Sequence, residues 1–146
     1  MKKGIHQIVS SIGNIKLKSV KKSDAMFLYN LLNERDPKNN ISHVKMPTLK
    51  QHIKFMNSKP YAKWHIIYLD NEKVGSIYLT KQNEIGIYIS KKFAFEKILS
   101  EALEIIIEKN PGKKLFANTS PRNIELQRFF NKKGFKLIQH TYELTT

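Results

Sequence analysis

The chain has 146 residues, of which 40% are hydrophobic and 26% charged. This length suits one compact domain, and the apolar content excludes a wholly disordered chain. The absence of cysteine excludes disulfides, thiolate zinc sites and a cysteine nucleophile. No segment reaches the about 20 apolar residues that cross a bilayer, and the N-terminus lacks the apolar stretch of a signal peptide. We therefore expect a cytoplasmic protein that does not bind a membrane.

The net charge of +14 comes from 26 Lys and Arg residues against 12 Asp and Glu residues. A field of this sign attracts nucleic acid, acidic membrane or a multiply phosphorylated small molecule. Only three of the basic residues are arginine, the side chain that makes bidentate contacts to phosphates and bases. The charge therefore indicates either an anionic partner or a lysine-rich solvated surface, and it does not decide between them.

The first half of the chain predicts one strand and two helices. Residues 15–20 alternate in polarity, which indicates a strand. Ser23 and Thr48 are the predicted N-caps of the two helices that follow. The segment 33–42 between these helices is rich in Asn and charged residues and contains Pro, which predicts one long loop.

Three strands then form a predicted antiparallel meander over residues 62–69, 74–80 and 84–90, with polar turns between them. Apolar residues at helical spacing predict a helix over 95–109, which Asn110-Pro-Gly ends.

The last part predicts a strand over 114–119 and a helix that begins at Ser120-Pro121 and ends at Gly134. Residues 135–139 form the next predicted strand, and residues 141–144 are a candidate for one more. The predicted fold is one α+β domain over residues 1–146, a mixed sheet in the order β-α-α-β-β-β-α-β-α-β-(β), and not the alternation of a doubly wound fold.

This order resembles the GNAT superfamily of acyl-CoA-dependent N-acyltransferases, and three motifs carry the resemblance. NTSPRN at 118–123, before a helix that ends in FFNKKGF at 129–135, is similar to the family's last strand–helix–strand unit. VGSIYL at 74–79 is similar to its third strand. HIKF at 52–55 is similar to a helix of members that acetylate amino sugars on nucleotides and of related protein acetylases.

The chain departs from the family at the phosphate loop, Gln/Arg-x-x-Gly-x-Gly/Ala, which aligns with AFEKIL at 94–99. Lys97 and Leu99 stand where the glycines are expected, and no glycine lies between Gly86 and Gly112. Glycine lets the backbone amides at a helix start approach a pyrophosphate closely. We therefore expect weak or altered cofactor binding.

The resemblance implies acetyl-CoA as co-substrate, bound between the splayed fourth and fifth strands. The backbone of Ile87 and Ile89 would pair with the pantetheine arm. The other cofactor-binding residues that the resemblance implies are Phe95, Lys97, Ile98, Leu99, Ser100, Asn123 and Phe130. Asn123 is equally well interpreted as a helix cap.

Two side chains are candidates for the chemistry. The family's usual acid, a tyrosine, aligns with Phe130, which cannot donate a proton. Either another group protonates the thiolate, or the thiolate leaves to water, or the protein is not catalytic. Tyr88 and Tyr78 are nearby in strand order, and Tyr88 is the candidate acid. Glu84 is the candidate base that accepts the amine proton through water. The alternatives are a packed strand aromatic for Tyr88 and a solvated strand-end charge for Glu84.

The histidines give candidates for the acceptor substrate but no metal site. His43, in the predicted long loop, and His65, in an apolar strand, are the candidate substrate residues, with a hydrogen-bonded structural role as the alternative for His65. His52 is expected to be structural. The five histidines lack the spacing of metal ligands, so we expect no metal.

Three functions are consistent with these residues. The first is an N-acetyltransferase that moves an acetyl group from acetyl-CoA to a primary amine of a small molecule, with an amino-sugar nucleotide as one such acceptor. The second is a GNAT-like binding domain that no longer uses acetyl-CoA. The third is a nucleic-acid-binding module, which the charge alone suggests and no motif supports. We expect a monomer or homodimer that does not bind nucleic acid.

Overall fold

The computed structural model describes residues 13–35, 45–93 and 96–145. Five strands form one sheet in the order β1-β2-β3-β4-β5, in which only the β4–β5 pair is parallel. The elements in chain order are β1 (Ile15–Ser19), α1 (Ala25–Asn33), α2 (Leu49–Asn57), β2 (Lys63–Leu69), β3 (Glu72–Leu79), β4 (Glu84–Ile89), α3 (Glu96–Glu108), β5 (Phe116–Ala117) and α4 (Ile124–Lys132). The α+β class, the mixed sheet and the predicted order are confirmed as far as α4.

The two central helices illustrate how local sequence sets the element bounds. Thr48 caps α2 as predicted, because its hydroxyl accepts a hydrogen bond from the Gln51 backbone at 3.1 Å and the Gln51 side chain accepts one from the Thr48 backbone at 2.9 Å. Helix α3 ends at Glu108, before the predicted Asn110-Pro-Gly stop.

The predicted cap of α1 is wrong. A short 3₁₀ turn, Lys22–Asp24, precedes α1, and Asp24 rather than Ser23 is the N-cap residue. The buried Asp24 carboxylate accepts hydrogen bonds from the Lys21 backbone at 2.7 Å and from the Lys73 ammonium at 2.6 Å. A buried carboxylate needs such partners, and here they close the 3₁₀ turn before α1 and tie it to β3.

The sheet has one face for the core and one for a cleft. Helices α3 and α4 cover the core face, and α1 and α2 lie on the other, where the Phe55 and Trp64 rings are 6.1 Å apart. The core is aliphatic apart from two phenylalanines, and it comprises Ile67, Val74, Ile77, Leu79, Ile85, Ile89, Ile98, Ala102, Leu103, Ile106, Phe129 and Phe130.

The last third of the chain departs from the prediction at two points. Strand β5 has only two residues, and α4 begins at Ile124 with Asn123 as its cap, since the Asn123 side chain accepts from the Leu126 backbone at 3.2 Å. The predicted start at Ser120-Pro121 is therefore wrong, and the capping role of Asn123 is confirmed.

The strands predicted over 135–139 and 141–144 are also wrong. Residues 135–145 pair with no strand of the described chain, and residues 136–145 are exposed. Strand-like composition indicates a good fit to a half-buried sheet face, but a strand also needs a neighbouring edge. In the described ranges, no helix is both long and apolar enough to span a bilayer.

Candidate active site

Strands β4 and β5 pair over two residues and then separate. Glu84 lies opposite Phe116 and Ile85 opposite Ala117, where β5 ends, whereas β4 continues to Ile89. From Gly86 onward, no strand of the described chain pairs with this side of β4. The result is a wedge-shaped gap in the sheet that opens at Gly86.

The backbone of β4 presents alternate residues to this gap. The Glu84 carbonyl accepts from Thr80 at 2.9 Å and the Ser90 amide donates to Val74 at 2.8 Å, so even-numbered residues bond to β3. Backbone groups alternate sides with a period of two, and the β3–β4 register is regular from Ile85 to Ile89. The amides and carbonyls of Ile87 and Ile89 therefore point to the gap.

An open cleft of about 1540 Å³ surrounds the gap. It brings together seven of the residues singled out in the sequence analysis: Glu84, Ile87, Tyr88, Ile89, Leu99, Asn123 and Phe130. Its size is enough for a drug-sized or cofactor-sized ligand.

Glu84 lies at the apex of the gap and its carboxylate is held in place. Asn118 donates to one carboxylate oxygen at 2.5 Å, and the Thr80 hydroxyl donates to the other at 3.3 Å. Both partners are neutral donors, so they orient the carboxylate without forming an ion pair with it. Glu84 is thus more constrained than a solvated strand-end charge.

Four aromatic side chains, which we call the aromatic wall, line one side of the cleft: Phe55, Tyr61, Trp64 and Tyr78. Tyr61 stacks on Tyr78 with ring centroids 3.8 Å apart and an interplanar angle of 6°. Its ring also lies 4.9 Å from Trp64 and 5.8 Å from Phe55, both edge to face. Burial raises the pKa of the Tyr61 phenol, and the charge and hydrogen bond of Tyr78 add to this rise while Arg35 opposes it.

Three cleft-lining side chains carry a buried nitrogen without a hydrogen-bond partner in the part of the chain that the structure describes. These atoms are Arg35 Nε, His52 Nε2 and Trp64 Nε1. Burial lowers the pKa of the His52 imidazole, so the ring is neutral at pH 7. A buried polar atom without a partner costs about 1–3 kcal/mol, which is tolerated more often at binding sites than elsewhere.

The sequence did not point to most residues of the aromatic wall or to the side chains with unpartnered nitrogens. From the sequence, His52 is expected to be structural, and no role is predicted for Arg35, Tyr61 or Trp64. The signal that could have found them is the density of aromatic residues at 61–68, in a strand next to a helix that carries Phe55.

No family model matches this chain, and no curated protein matches it either. Solved structures do match. An acetyltransferase from Thermus thermophilus has a TM-score of 0.73 at 18% identity, covering 88% of this chain and 90% of that one. A spermidine N-acetyltransferase from Vibrio cholerae, in complex with CoA and spermine, has a TM-score of 0.72 at 15% identity, covering 86% of this chain and 83% of that one. A domain from Methanocaldococcus jannaschii has a TM-score of 0.71 at 23% identity, covering 89% of this chain and 93% of that one.

The chain has the GNAT fold. Its departures from the GNAT sequence pattern lie where α3 and α4 border the cleft. The Glu96 carboxylate, in the first turn of α3, forms an ion pair with Lys132 of α4 at 3.1 Å. This pair lies on the surface, so Lys132 offsets the charge of Glu96 only in part. Leu99 lines the cleft, where it packs against the core.

Phe130, which the resemblance aligns with the family's usual acid, has apolar surroundings. It is buried, and its ring lies 5.5 Å from Phe129 and 5.1 Å from Phe135. The candidate acid Tyr88 is on β4, with the Arg35 guanidinium 5.7 Å from its ring centroid.

Four residues of the predicted site are placed away from the cleft surface. The Ile98 side chain is in the core, so only its backbone could meet a ligand. Ser100 accepts a hydrogen bond from Lys133, and Lys97 does not line the cleft. His65 is on the core face of the sheet, because it follows Trp64 and side chains alternate along a strand. His43 and Phe95 lie outside the described residues.

His65 also differs from the structural interpretation given above. Neither of its ring nitrogens has a hydrogen-bond partner in the described ranges. Burial lowers the pKa of its imidazole, and the charges of Lys109 and Lys63 lower it further. The structure gives His65 a partly buried, neutral ring that does not line the cleft. Among the described residues, no three metal-ligating side chains come together.

Proposed function

We propose that this protein is an N-acetyltransferase that transfers an acetyl group from acetyl-CoA to a primary amine of a small molecule. The observation that carries this proposal is the gap between β4 and β5, with unpaired backbone groups on one wall and the oriented Glu84 carboxylate at its apex. Direct attack of an amine on a thioester needs positioning, a donor for the carbonyl oxygen, a base and an acid.

The cleft offers a group for each of these needs. Acetyl-CoA, when bound, supplies the thioester. The backbone of Ile87 and Ile89 pairs with its pantetheine arm, and a backbone amide of the same strand polarises the thioester carbonyl. Glu84 accepts a proton from the ammonium group of the acceptor, directly or through water, and the neutral amine then attacks the thioester carbon. The new bond is C–N, the broken bond is C–S, and Tyr88 protonates the thiolate that leaves.

The pyrophosphate of CoA would lie at the first turn of α3. Helix starts carry unpaired amides that favour anions even without glycine. Lys132 offsets the charge of Glu96 at this point. The fit is therefore electrostatically acceptable, and the bulk of Leu99 is its main cost.

The acceptor belongs to a different chemical class from a polyamine. The field of a protein with a net charge of +14 repels spermidine and spermine, the polycations bound by the Vibrio cholerae neighbour. An amine on an acidic molecule, such as an amino-sugar nucleotide, is instead attracted.

A second candidate is a GNAT-fold binding domain that does not use acetyl-CoA. The side chains at Lys97 and Leu99 and the missing hydroxyl at Phe130 favour it. This candidate keeps the cleft but has no chemistry at its apex.

Calorimetry with acetyl-CoA and a thiol-release assay separate the two candidates. Because the chain has no cysteine, a thiol reagent detects released CoA without background from the protein. We expect acetyl-CoA binding, and Glu84→Gln should lower kcat by about a hundredfold or more with little change in acetyl-CoA affinity. Glu72→Gln, on an exposed carboxylate outside the cleft, is the control. If millimolar acetyl-CoA gives no heat of binding, the N-acetyltransferase proposal is contradicted and the second candidate, a binding domain that does not use acetyl-CoA, is favoured.

A further inference from the structure

The end of the cleft that carries the aromatic wall and Arg35 is lined by aromatic rings and positive charge, whereas the gap presents backbone groups and Glu84. This difference indicates what kind of acceptor the cleft binds. Resting on the proposed function, we propose that the aromatic wall and Arg35 form a subsite for the far end of the acceptor, which carries a planar ring and an anionic group. The reacting amine would lie at Glu84, and the ring and the anion would lie on the aromatic wall.

The exposure of Phe55 is the first support for a planar ligand. Phe55 lines the cleft and is 44% exposed, whereas core phenylalanines such as Phe129 are 4% exposed. Its ring continues the edge-to-face series through Tyr61 to Trp64. A contiguous and partly exposed set of rings is a platform on which flat ligand groups stack. Burial of this apolar surface by a ligand would also remove its contact with water.

The charges at the same end are the second support. The Arg35 guanidinium lies 5.7 Å from the Tyr88 ring centroid, and its charge acts on the Tyr61 phenol. Lys45 lines the same cleft. No acidic side chain that lines the cleft comes from the described parts of α1, α2, β2 or β3, whereas the acidic lining residues are Glu84, Glu96 and Glu125. This end of the cleft is therefore cationic.

The unpartnered nitrogens are the third support. Arg35 Nε and Trp64 Nε1 carry hydrogens and can only donate. Two donors that find no acceptor within residues 13–35, 45–93 and 96–145, next to stacked rings, match a ligand that brings oxygen acceptors on or beside a planar group. Small rearrangement of these side chains on binding would bring their nitrogens into contact with such oxygens.

Two kinds of molecule share this chemistry, and the probes separate them. A nucleotide combines a base with phosphate, and an aromatic amino acid combines a ring with a carboxylate. Uridine 5′-diphosphate represents the first and N-acetyl-L-tryptophan the second. Both lack a reactive amine, so their binding is measured without turnover. Spermidine is the contrasting probe because it has neither a ring nor an anion.

The test is isothermal calorimetry of each probe in saturating CoA, on the wild-type protein and on matched variants. We expect at least one of the two planar anions to bind and spermidine not to bind. Phe55→Ala and Arg35→Gln should each weaken that binding by about tenfold. Ile53→Ala and Lys50→Gln are the controls, since both residues are exposed on α2 and neither lines the cleft.

Three results would overturn the proposal: binding of spermidine alone, binding of no probe, or planar-anion binding that Phe55→Ala leaves unchanged. The outcome is separable from that of the proposed function. Planar-anion binding that depends on Phe55, without acetyl-CoA turnover, would support the subsite and contradict the enzyme. Acetyl-CoA turnover with spermidine as the best acceptor would support the enzyme and contradict the subsite.

Discussion

Gly86 is where the sheet opens, and an alanine there tests how the aromatic wall is held. Gly86 lies directly opposite Tyr78 in the β3–β4 ladder, and the Tyr78 ring occupies the space above it. An added Cβ would overlap the end of that ring. In Gly86→Ala the ring must therefore move, and it cannot move without disturbing its stack on Tyr61.

Two opposing effects set the magnitude. Alanine in a strand interior is more favourable than glycine by about 0.5–1 kcal/mol. Overpacking costs about 1–3 kcal/mol. The expected net result is a loss of about 1–2 kcal/mol in the free energy of unfolding. The displaced Tyr78 ring should also reduce binding of a planar probe on the aromatic wall.

A double-mutant cycle with Tyr78→Ala isolates the overlap. Without the Tyr78 ring, Gly86→Ala should no longer destabilise the protein and should instead stabilise it slightly. The coupling energy from urea denaturation should be about 1–3 kcal/mol. Additive effects of the two substitutions would refute the reasoning, because they would show that the Tyr78 ring does not limit the space at Gly86.

Three further predictions concern charge. Asp24→Ala should lower the free energy of unfolding by about 3 kcal/mol in urea, because it leaves a partly buried ammonium without its partner, whereas Glu72→Gln breaks an exposed ion pair and should cost less than about 0.5 kcal/mol. Glu96→Gln should strengthen acetyl-CoA binding by about two- to fivefold in calorimetry, since it removes a negative charge from the first turn of α3. Lowering the pH below 6.5 should destabilise the protein, because burial lowers the folded pKa of His52 and His65 while the unfolded chain binds protons at their ordinary pKa.

Each of these has a clear contrary result. Equal losses for Asp24→Ala and Glu72→Gln would mean that burial of the first pair is not what stabilises it. Unchanged or weaker acetyl-CoA binding in Glu96→Gln would place the pyrophosphate away from the start of α3. A urea midpoint that does not change between pH 7.5 and 5 would contradict the predicted destabilisation. A pH dependence of the midpoint that remains after His52→Gln and His65→Gln would assign the effect to other groups.

The sequence predicted elements well where local signals and long-range packing agree. The meander of β2, β3 and β4 and the helix α3 combine strong periodicity with clear turns, and their bounds match the structure within about two residues. The prediction failed after Lys132, where residues 135–144 have strand composition but pair with none of the described strands. Pairing is a non-local property, and no local pattern reports it.

The gap side of the site was more predictable than the acceptor side. The gap depends on a backbone arrangement that the resemblance already implied, and Glu84, Ile87 and Tyr88 all line it. The aromatic wall depends on contacts among α2, the segment before β2, and β3, which are far apart in the sequence. His52 and Trp64 look like ordinary apolar-face residues until these elements are packed together.

The two sides of the cleft also differ in how they tolerate sequence change. The β4 side of the cleft presents the backbone groups of Ile87 and Ile89. Their orientation follows from the regular pairing of β3 with β4 and not from side-chain identity. The side chains at Lys97 and Leu99 therefore change the start of α3 but leave the backbone of β4 in place. In the proposed subsite, specificity for the acceptor would rest instead on side chains such as Phe55 and Arg35, which a single substitution can change. The GNAT fold therefore persists here together with the side chains of Lys97 and Leu99 at the start of α3, because the pairing of β3 with β4 that shapes the gap does not depend on those two positions.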